Sequence, residues 1–423
     1  MKETTHVPAA ALPDMIRVFG RIGLLSFGGP AAQIALMHDA LVTRHNWLSE
    51  QQYLRALSLC LLLPGPEAMQ LATYAGWRLR GTVGGLIAGL LFVVPGALVI
   101  LTLALLYVRF GQMPLVQAAF LGIKAAVIVI VLQALLRLGQ KALTDRTAWA
   151  LAAGGFVALF VLGLPFPAVV IAAGLFGYLT ADMASGAAPP APARARTGRT
   201  VLILGGLWAA PIIVVWLMAQ DFLLQIGLFF SKLAVVTFGG AYAVLAYVAQ
   251  DVVQNYGWIT TPQMIDALGL AETTPGPLIL VTEFVALLAG FAQGGLGMAL
   301  AAGALALWVT FIPCFLWIFA AGPYLDHIAA RPRLSAALGR ISAVVVGVIL
   351  NLSVWFALNV FFARLGTVPG LALPVPDWST LNIWAVVLTG VAMGLMLVAR
   401  VKLLPTLALM AVAGYAISLS GLT

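Results

Sequence analysis

Charge is what this sequence has least of. Asp, Glu, Lys and Arg make up 9% of its 423 residues, and 62% are hydrophobic. A soluble domain carries roughly 25% charged residues. Too few charges exist here to coat a water-facing surface, and the mean hydropathy of +1.06 agrees. Cysteine is nearly missing as well. Cys60 and Cys314 both lie inside apolar stretches, which excludes a disulfide framework and a thiolate metal site; both read as small core residues. The few histidines include His38 and His45, which stand with Asp39, Arg44 and Glu50 in a spacing that fits no metal centre. That stretch reads as a solvated loop, and no metal or cofactor is expected. The N-terminal residues 1–12 hold no long apolar run after their charges, so a cleaved signal peptide is not expected. The net charge of +8 then reads as a loop bias rather than nucleic-acid binding.

What is present is apolar segments, each long enough to cross roughly 30 Å of hydrocarbon. They fall near 14–37, 54–76, 83–108, 115–136, 148–163, 166–181, 200–219, 223–248, 262–290, 296–322, 338–362, 380–398 and 402–421. Leu164-Pro165-Phe166-Pro167 is read as the turn between two of them. A linker over 182–199 is rich in Ala, Pro and Gly and carries Arg194, Arg196 and Arg199.

The two ends of the chain repeat each other. Phe27-Gly28-Gly29-Pro30, Trp47 and Pro64-Gly65-Pro66 are answered by Phe238-Gly239-Gly240, Trp258 and Pro275-Gly276-Pro277. The offsets agree: 238 − 27 = 211, 258 − 47 = 211 and 275 − 64 = 211. Further on, Leu121-Gly122 answers Leu338-Gly339 at 338 − 121 = 217, a drift assigned to length changes around Gly84-Gly85 and Gly294-Gly295. The expected architecture is an all-α polytopic membrane protein. Residues 1–181 form the first repeat, 182–221 a basic linker with a connecting span, and 222–423 the second repeat.

Loop cations orient the segments. Arg78 and Arg80 precede 83–108, whereas Arg331 and Arg333 follow its counterpart 296–322. One segment leaves the cytoplasm and the other enters it. The repeats are therefore inverted, a plan in which broken helices build a transport site.

Pro and Gly at the FGG and PGP positions break helices, and freed backbone groups at that depth must be buried or line a cavity. A half-helix N-terminus suits an anion. Arg21 and Lys232 share the 211 offset (232 − 21 = 211), so the repeat puts a cation at the same point twice. Cations at such depth are costly and usually functional, and an ammonium and a guanidinium converging from two inverted halves fit a small oxyanion, so Arg21 and Lys232 are expected to bind the substrate; snorkelling to the interface is the alternative, more for Arg21 than for Lys232. Glu67, Glu272 and Glu283 are the clearest carboxylates near the breaks, fit to carry protons, to pair with the cations or to cap a half-helix. Gln33, Gln70, Thr237, Thr273 and Thr274 are neutral hydrogen-bonding candidates there. Lys124 and Arg340 lie one position out of register and read as helix-end anchors or as part of an anion path.

Phe27-Gly28-Gly29-Pro30, Leu63-Pro64-Gly65-Pro66-Glu67 with Gln70-Leu71-Ala72-Thr73-Tyr74, Gly76-Trp77-Arg78 and Ala271-Glu272-Thr273-Thr274-Pro275-Gly276-Pro277 together resemble the chromate ion transporter family. The resemblance covers both repeats, as in a fused, long-chain member. It implies a multi-pass protein of the bacterial inner membrane that exports chromate, driven by the proton-motive force, and confers chromate resistance. Substrate, protons and the lipid bilayer would be its partners, with a homodimer one expectation for its assembly. The residues leave another tetrahedral oxyanion such as sulfate as the alternative, and a membrane-embedded enzyme as a remoter one. Two positions depart from the family pattern. Ala241 follows the second FGG where the first has Pro30, and Glu283 stands where a neutral amide is expected.

Overall fold

The computed structural model describes residues 10–181, 197–238, 241–324, 331–368 and 371–420. It is helical almost throughout. The helices are α1 (Leu12–Leu25), α2 (Gly29–His38), α3 (Glu50–Leu62), α4 (Glu67–Phe110), α5 (Pro114–Ala142), α6 (Arg146–Phe160), α7 (Phe166–Leu179) and α8 (Thr197–Leu217). They continue as α9 (Asp221–Val236), α10 (Ala241–Gln250), α11 (Thr261–Thr273), α12 (Val281–Ala321), α13 (Pro332–Phe361), α14 (Ile383–Met393) and α15 (Leu403–Leu419). Five helical stretches are long and apolar enough to cross a membrane, and four shorter apolar ones accompany them. One small antiparallel ribbon, β1 (Leu365–Thr367) with β2 (Pro374–Pro376), occupies the loop after α13.

Each expected segment is present, and four are broken where Gly and Pro predict. Segment 14–37 divides into α1 and α2 around Gly28, whose φ is +87°. Segments 54–76 and 262–290 divide at the two PGP turns, and 223–248 divides between α9 and α10. The stretch expected to be a solvated loop is more ordered than that. A π-helix over Asp39–Arg44 prolongs α2, Trp47 is buried, and Ser49 and Gln52 form a capping box at the start of α3. The second repeat copies these marks. A π-helix covers Asp251–Asn255, and Thr260 and Gln263 bond reciprocally before α11. The Trp47 and Trp258 amides donate to Leu41 and Val252, residues again 211 apart (252 − 41).

The helix α4, 44 residues long, is an antiparallel hairpin. Arg80 and Gly81 leave helical angles, with Gly81 at φ +61°. A Cβ on Gly76 would lie 2.3 Å from the Gly84 carbonyl oxygen, whereas residues eight apart on one straight helix are separated by ~12 Å. In α12 the same reversal falls at Gly294 and Gly295, where a Cβ on Gly290 would lie 2.6 Å from the Met298 carbonyl oxygen. The first turn is thus at Arg80-Gly81, in the gap between the expected segments 54–76 and 83–108. The offset there is 295 − 81 = 214, so part of the drift occurs before these turns.

The α1–α2 pair also folds back. Phe19, in the middle of α1, has its ring 6.3 Å from that of Trp47, which lies beyond the far end of α2. A chain that ran straight on through Gly28 would separate them by more than ~25 Å. With 14 and 10 residues, neither arm alone reaches ~30 Å. Tyr53 donating to the Ile34 carbonyl (2.6 Å) and Glu50 facing His38 (2.7 Å) lay α3 antiparallel to α2.

The chain forms two compact units, and they do not follow the repeat boundaries. One comprises 1–101, 182–241 and 274–335; the other comprises 102–181, 242–273 and 336–423. Each draws on both repeats.

Candidate functional site

The broken segments meet inside the first unit. The Gly65 amide donates to the Thr237 carbonyl (2.9 Å), and the Gly276 amide donates to the Ser26 carbonyl (3.0 Å). These bonds are one contact made twice, because 276 − 65 and 237 − 26 both equal 211. Each PGP turn of one repeat is tied to the residue before the FGG of the other. Ser26 and Thr237 also turn their hydroxyls back to the Ile22 and Leu233 carbonyls within their own helices. All four polar groups find partners away from water, as buried backbone requires.

The glycines permit this crossing. Gly65 has φ +119° and Gly276 φ +89°, angles that L side chains rarely adopt. A Cβ on Gly65 would stand 2.8 Å from Gln70 Nε2 and 2.9 Å from Cys314 Sγ.

Two buried amide side chains complete the centre, both from the first repeat. Gln33 Nε2 donates to the Gly276 carbonyl (2.7 Å) and to the Ser26 carbonyl (3.2 Å). Gln70 Nε2 donates to the Pro64 carbonyl (2.6 Å). The Oε1 atoms of both are buried without a hydrogen-bond partner among the described residues. Their repeat counterparts are Val244 and Val281, so the polar lining is one-sided. The first turns of α2, from Gly29 and Pro30, and of α4, from Glu67, begin at these breaks; first-turn amides have no acceptor within their own helix. Phe27 is half-buried beside them.

The carboxylates separate. Glu67 is buried in the first turn of α4, where it complements the helix dipole. Glu283 is buried in the first turn of α12, and its Oε2 has no hydrogen-bond partner among the described residues. Both belong to the first unit. Glu272 belongs to the second, where Tyr242 donates to its Oε1 (3.0 Å). Thr274 is buried, Thr273 is half-buried, and the Thr273 hydroxyl donates to the Leu270 carbonyl.

The cations do not join the buried centre. Arg21 lies on the exposed face of α1 beside Leu24 and Leu25, and Lys232 on that of α9 between Leu228 and Val235. Both therefore stand on exposed faces at one point of the repeat. Phe238 is half-buried before α10, and its amide bonds the Val236 carbonyl as that of Phe27 bonds Leu25. Gly239 and Gly240 lie outside the described residues. Arg340 donates to both carboxylate oxygens of Asp145 (2.9 Å), and this holds the Asp145 carboxyl below the usual carboxylate range.

Ser26, Asp266 and Tyr107 are polar residues that sequence reasoning passed over. Ser26 carried a signal, since Ser26 and Thr237 precede both FGG motifs at one offset. Asp266 carried a weaker one, an acid midway along the buried helix α11.

Fold and site thus define an all-α polytopic membrane protein whose two repeats cross at their broken helices. A family model described as chromate transporter matches residues 13–178 and 224–417. The chain belongs to the chromate transporter family. It is 33% identical over 352 residues to the chromate transport protein of Pseudomonas aeruginosa, covering 81% of this chain and 80% of that one. It is 31% identical over 343 residues to the chromate transport protein of Cupriavidus metallidurans (81% and 82% covered). A probable chromate transport protein of Synechococcus elongatus is 31% identical over 348 residues (81% and 84% covered). No solved structure matches the chain.

Proposed function

We propose that this protein exports chromate across the bacterial cytoplasmic membrane, driven by the proton-motive force, and thereby confers chromate resistance. The names of its relatives support the substrate. The observation that carries the site is the doubled crossing of Gly65 with Thr237 and Gly276 with Ser26. Crossed breaks hold two half-helix N-termini in one place, and such ends favour an oxyanion.

In this reading the first-turn amides of α2 and α4 face the anion, with Gln33 and Gln70 fixing the turns around it. Phe27, Gly28, Gly29, Pro30, Pro64, Gly65 and Pro66 shape one side. Phe238, Thr274, Pro275, Gly276 and Pro277 shape the other. Glu67 is the resident negative charge at the α4 terminus, and its protonation would make room for a dianion. Glu283 and Glu272 are further proton carriers. Arg21 and Lys232, both exposed, act as longer-range attractors rather than ligands.

Purified protein in proteoliposomes tests this. Saturable chromate flux, quickened by an imposed proton gradient and accompanied by chromate resistance in an expressing host, is the expected result. Flux of sulfate with none of chromate would replace the substrate. Absence of any oxyanion flux would overturn the reading.

A further inference from the structure

The second unit holds a buried ion pair that the broken-helix site does not use. Asp266 of α11 is fully buried. Its Oδ1 lies 2.7 Å from Lys124 Nζ of α5, and its Oδ2 accepts a hydrogen bond from the Tyr107 hydroxyl at 2.6 Å. The Lys124 side chain keeps 15% of its surface exposed, whereas that of Asp266 keeps none. Lys124 stands ~15 Å along α5 from Pro114 and further still from its other end, well within hydrocarbon depth. Ionised groups at that depth are costly, and a buried pair contributes little net stability over apolar residues of the same size.

The repeat does not carry the pair twice. The position matching Asp266 in the first repeat is Arg55 (266 − 55 = 211), which is exposed on α3. The position matching Lys124 is Ile341 (341 − 124 = 217), and its neighbour Arg340 is engaged by Asp145. One repeat builds the half-helix with a cation at this point, and the other with a buried anion. Nor does α11 depend on the pair for docking. Gly269 lets it approach α5 closely, with Ile123 Cγ2 3.1 Å from where a Cβ would be.

We propose that Lys124 is an oxyanion-binding residue and that Asp266 is its built-in competing anion. With no substrate present, the Asp266 carboxylate occupies the ammonium. A tetrahedral dianion displaces it, and Tyr107 retains the freed carboxylate through Oδ2. A compact ammonium suits this exchange, because it binds as a point charge and demands no bidentate geometry. The proposal deepens the oxyanion-transport reading and rests on it, adding a second place in the protein where the anion is held.

The test is chromate and sulfate binding and flux for the full-length protein in proteoliposomes, with thermal unfolding in detergent as the folding control. Asp266→Asn removes the competitor and is expected to lower the chromate Kd roughly 10-fold, within the usual range of coupling between sites. Lys124→Met should raise it by about 100-fold, at the upper end of that range. Should that variant fail to fold with Asp266 left unpaired, the double variant Lys124→Met, Asp266→Leu decides. It is expected to unfold at the wild-type temperature yet to bind as weakly as a protein without the cation. Wild-type affinity and flux in the double variant, or an unchanged Kd in Asp266→Asn, would overturn the assignment and leave a structural latch. Failure of the wild type to bind either oxyanion would instead overturn the transport reading itself.

Discussion

Helices α3 and α11 occupy the same place in their repeats and live in different surroundings. Both follow a π-helix, both start from a hydroxyl residue paired with Gln three positions on, and both end at a PGP turn. Yet α3 buries only Tyr53, Ala56, Leu59 and Cys60, leaving Leu54 and Leu61 more than half exposed, whereas α11 is buried continuously from Met264 to Glu272. The first belongs to one compact unit and the second to the other. Duplication has preserved backbone geometry while charge and packing diverged. Glycine, proline and caps act locally and survive inversion; side-chain partners are long-range and are set anew on each side.

Exchanging the diverged charges should give the largest effect. Asp266→Arg would bury a second cation against Lys124 and is expected to cost about 3–5 kcal/mol. The reciprocal Arg55→Asp, at an exposed site, should stay within ~0.5 kcal/mol. Thermal unfolding in detergent measures both, and equal losses would break the comparison. Next come the shared turns. Gly65→Val and Gly276→Val each force a side chain into positive φ and should each cost roughly 2–3 kcal/mol and stop flux. A large loss in one and none in the other would show that the crossing is not equivalent on its two sides.

Gln33→Leu removes the amide that joins Ser26 to Gly276 and is expected to cost ~1–3 kcal/mol. Its counterpart Val244 is fully buried and apolar, so Val244→Leu should act on packing alone and leave oxyanion affinity unchanged. The smallest effect is expected outside the membrane. Arg340 lowers the Asp145 carboxyl from its usual value, so the pair's stabilisation is complete at neutral pH. It is lost only as pH falls through the depressed folded-state value, below the normal carboxylate range. Unfolding of Asp145→Asn measured against pH should therefore differ slightly from wild type at pH 7 and converge with it in acid. A gap that widened in acid would contradict the pairing.

The sequence legibility of the fold follows this division. Helix breaks at Gly28, Gly65 and Gly276 were readable, because glycine and proline act on their own backbone. So were the apolar segments, which depend on composition. The fold-back of α1 on α2 was not, since the Phe19–Trp47 contact is visible only once the chain is assembled. The turn at Arg80-Gly81 was legible too, since it falls between the expected segments 54–76 and 83–108, while Gly84 and Gly85 pack the hairpin arms. Within the site, Gln33 and Gln70 were legible as polar residues near breaks, while the outward phase of Arg21 and Lys232 was not. Asp266 belongs to no motif, and only its contact with Lys124 distinguishes it. The β1–β2 ribbon was unexpected because β2 holds two prolines and each strand is only three residues long.

The crossing of the two repeats as an oxyanion site is tested most directly by chromate flux through proteoliposomes carrying wild type or Gln33→Leu, Gln70→Leu. The wild type should move chromate saturably, with excess sulfate competing. The double variant should remain folded and lose flux by about 10-fold or more, the equivalent of ~1.4 kcal/mol. Undiminished flux in the folded double variant would contradict the placement of the anion at the crossing.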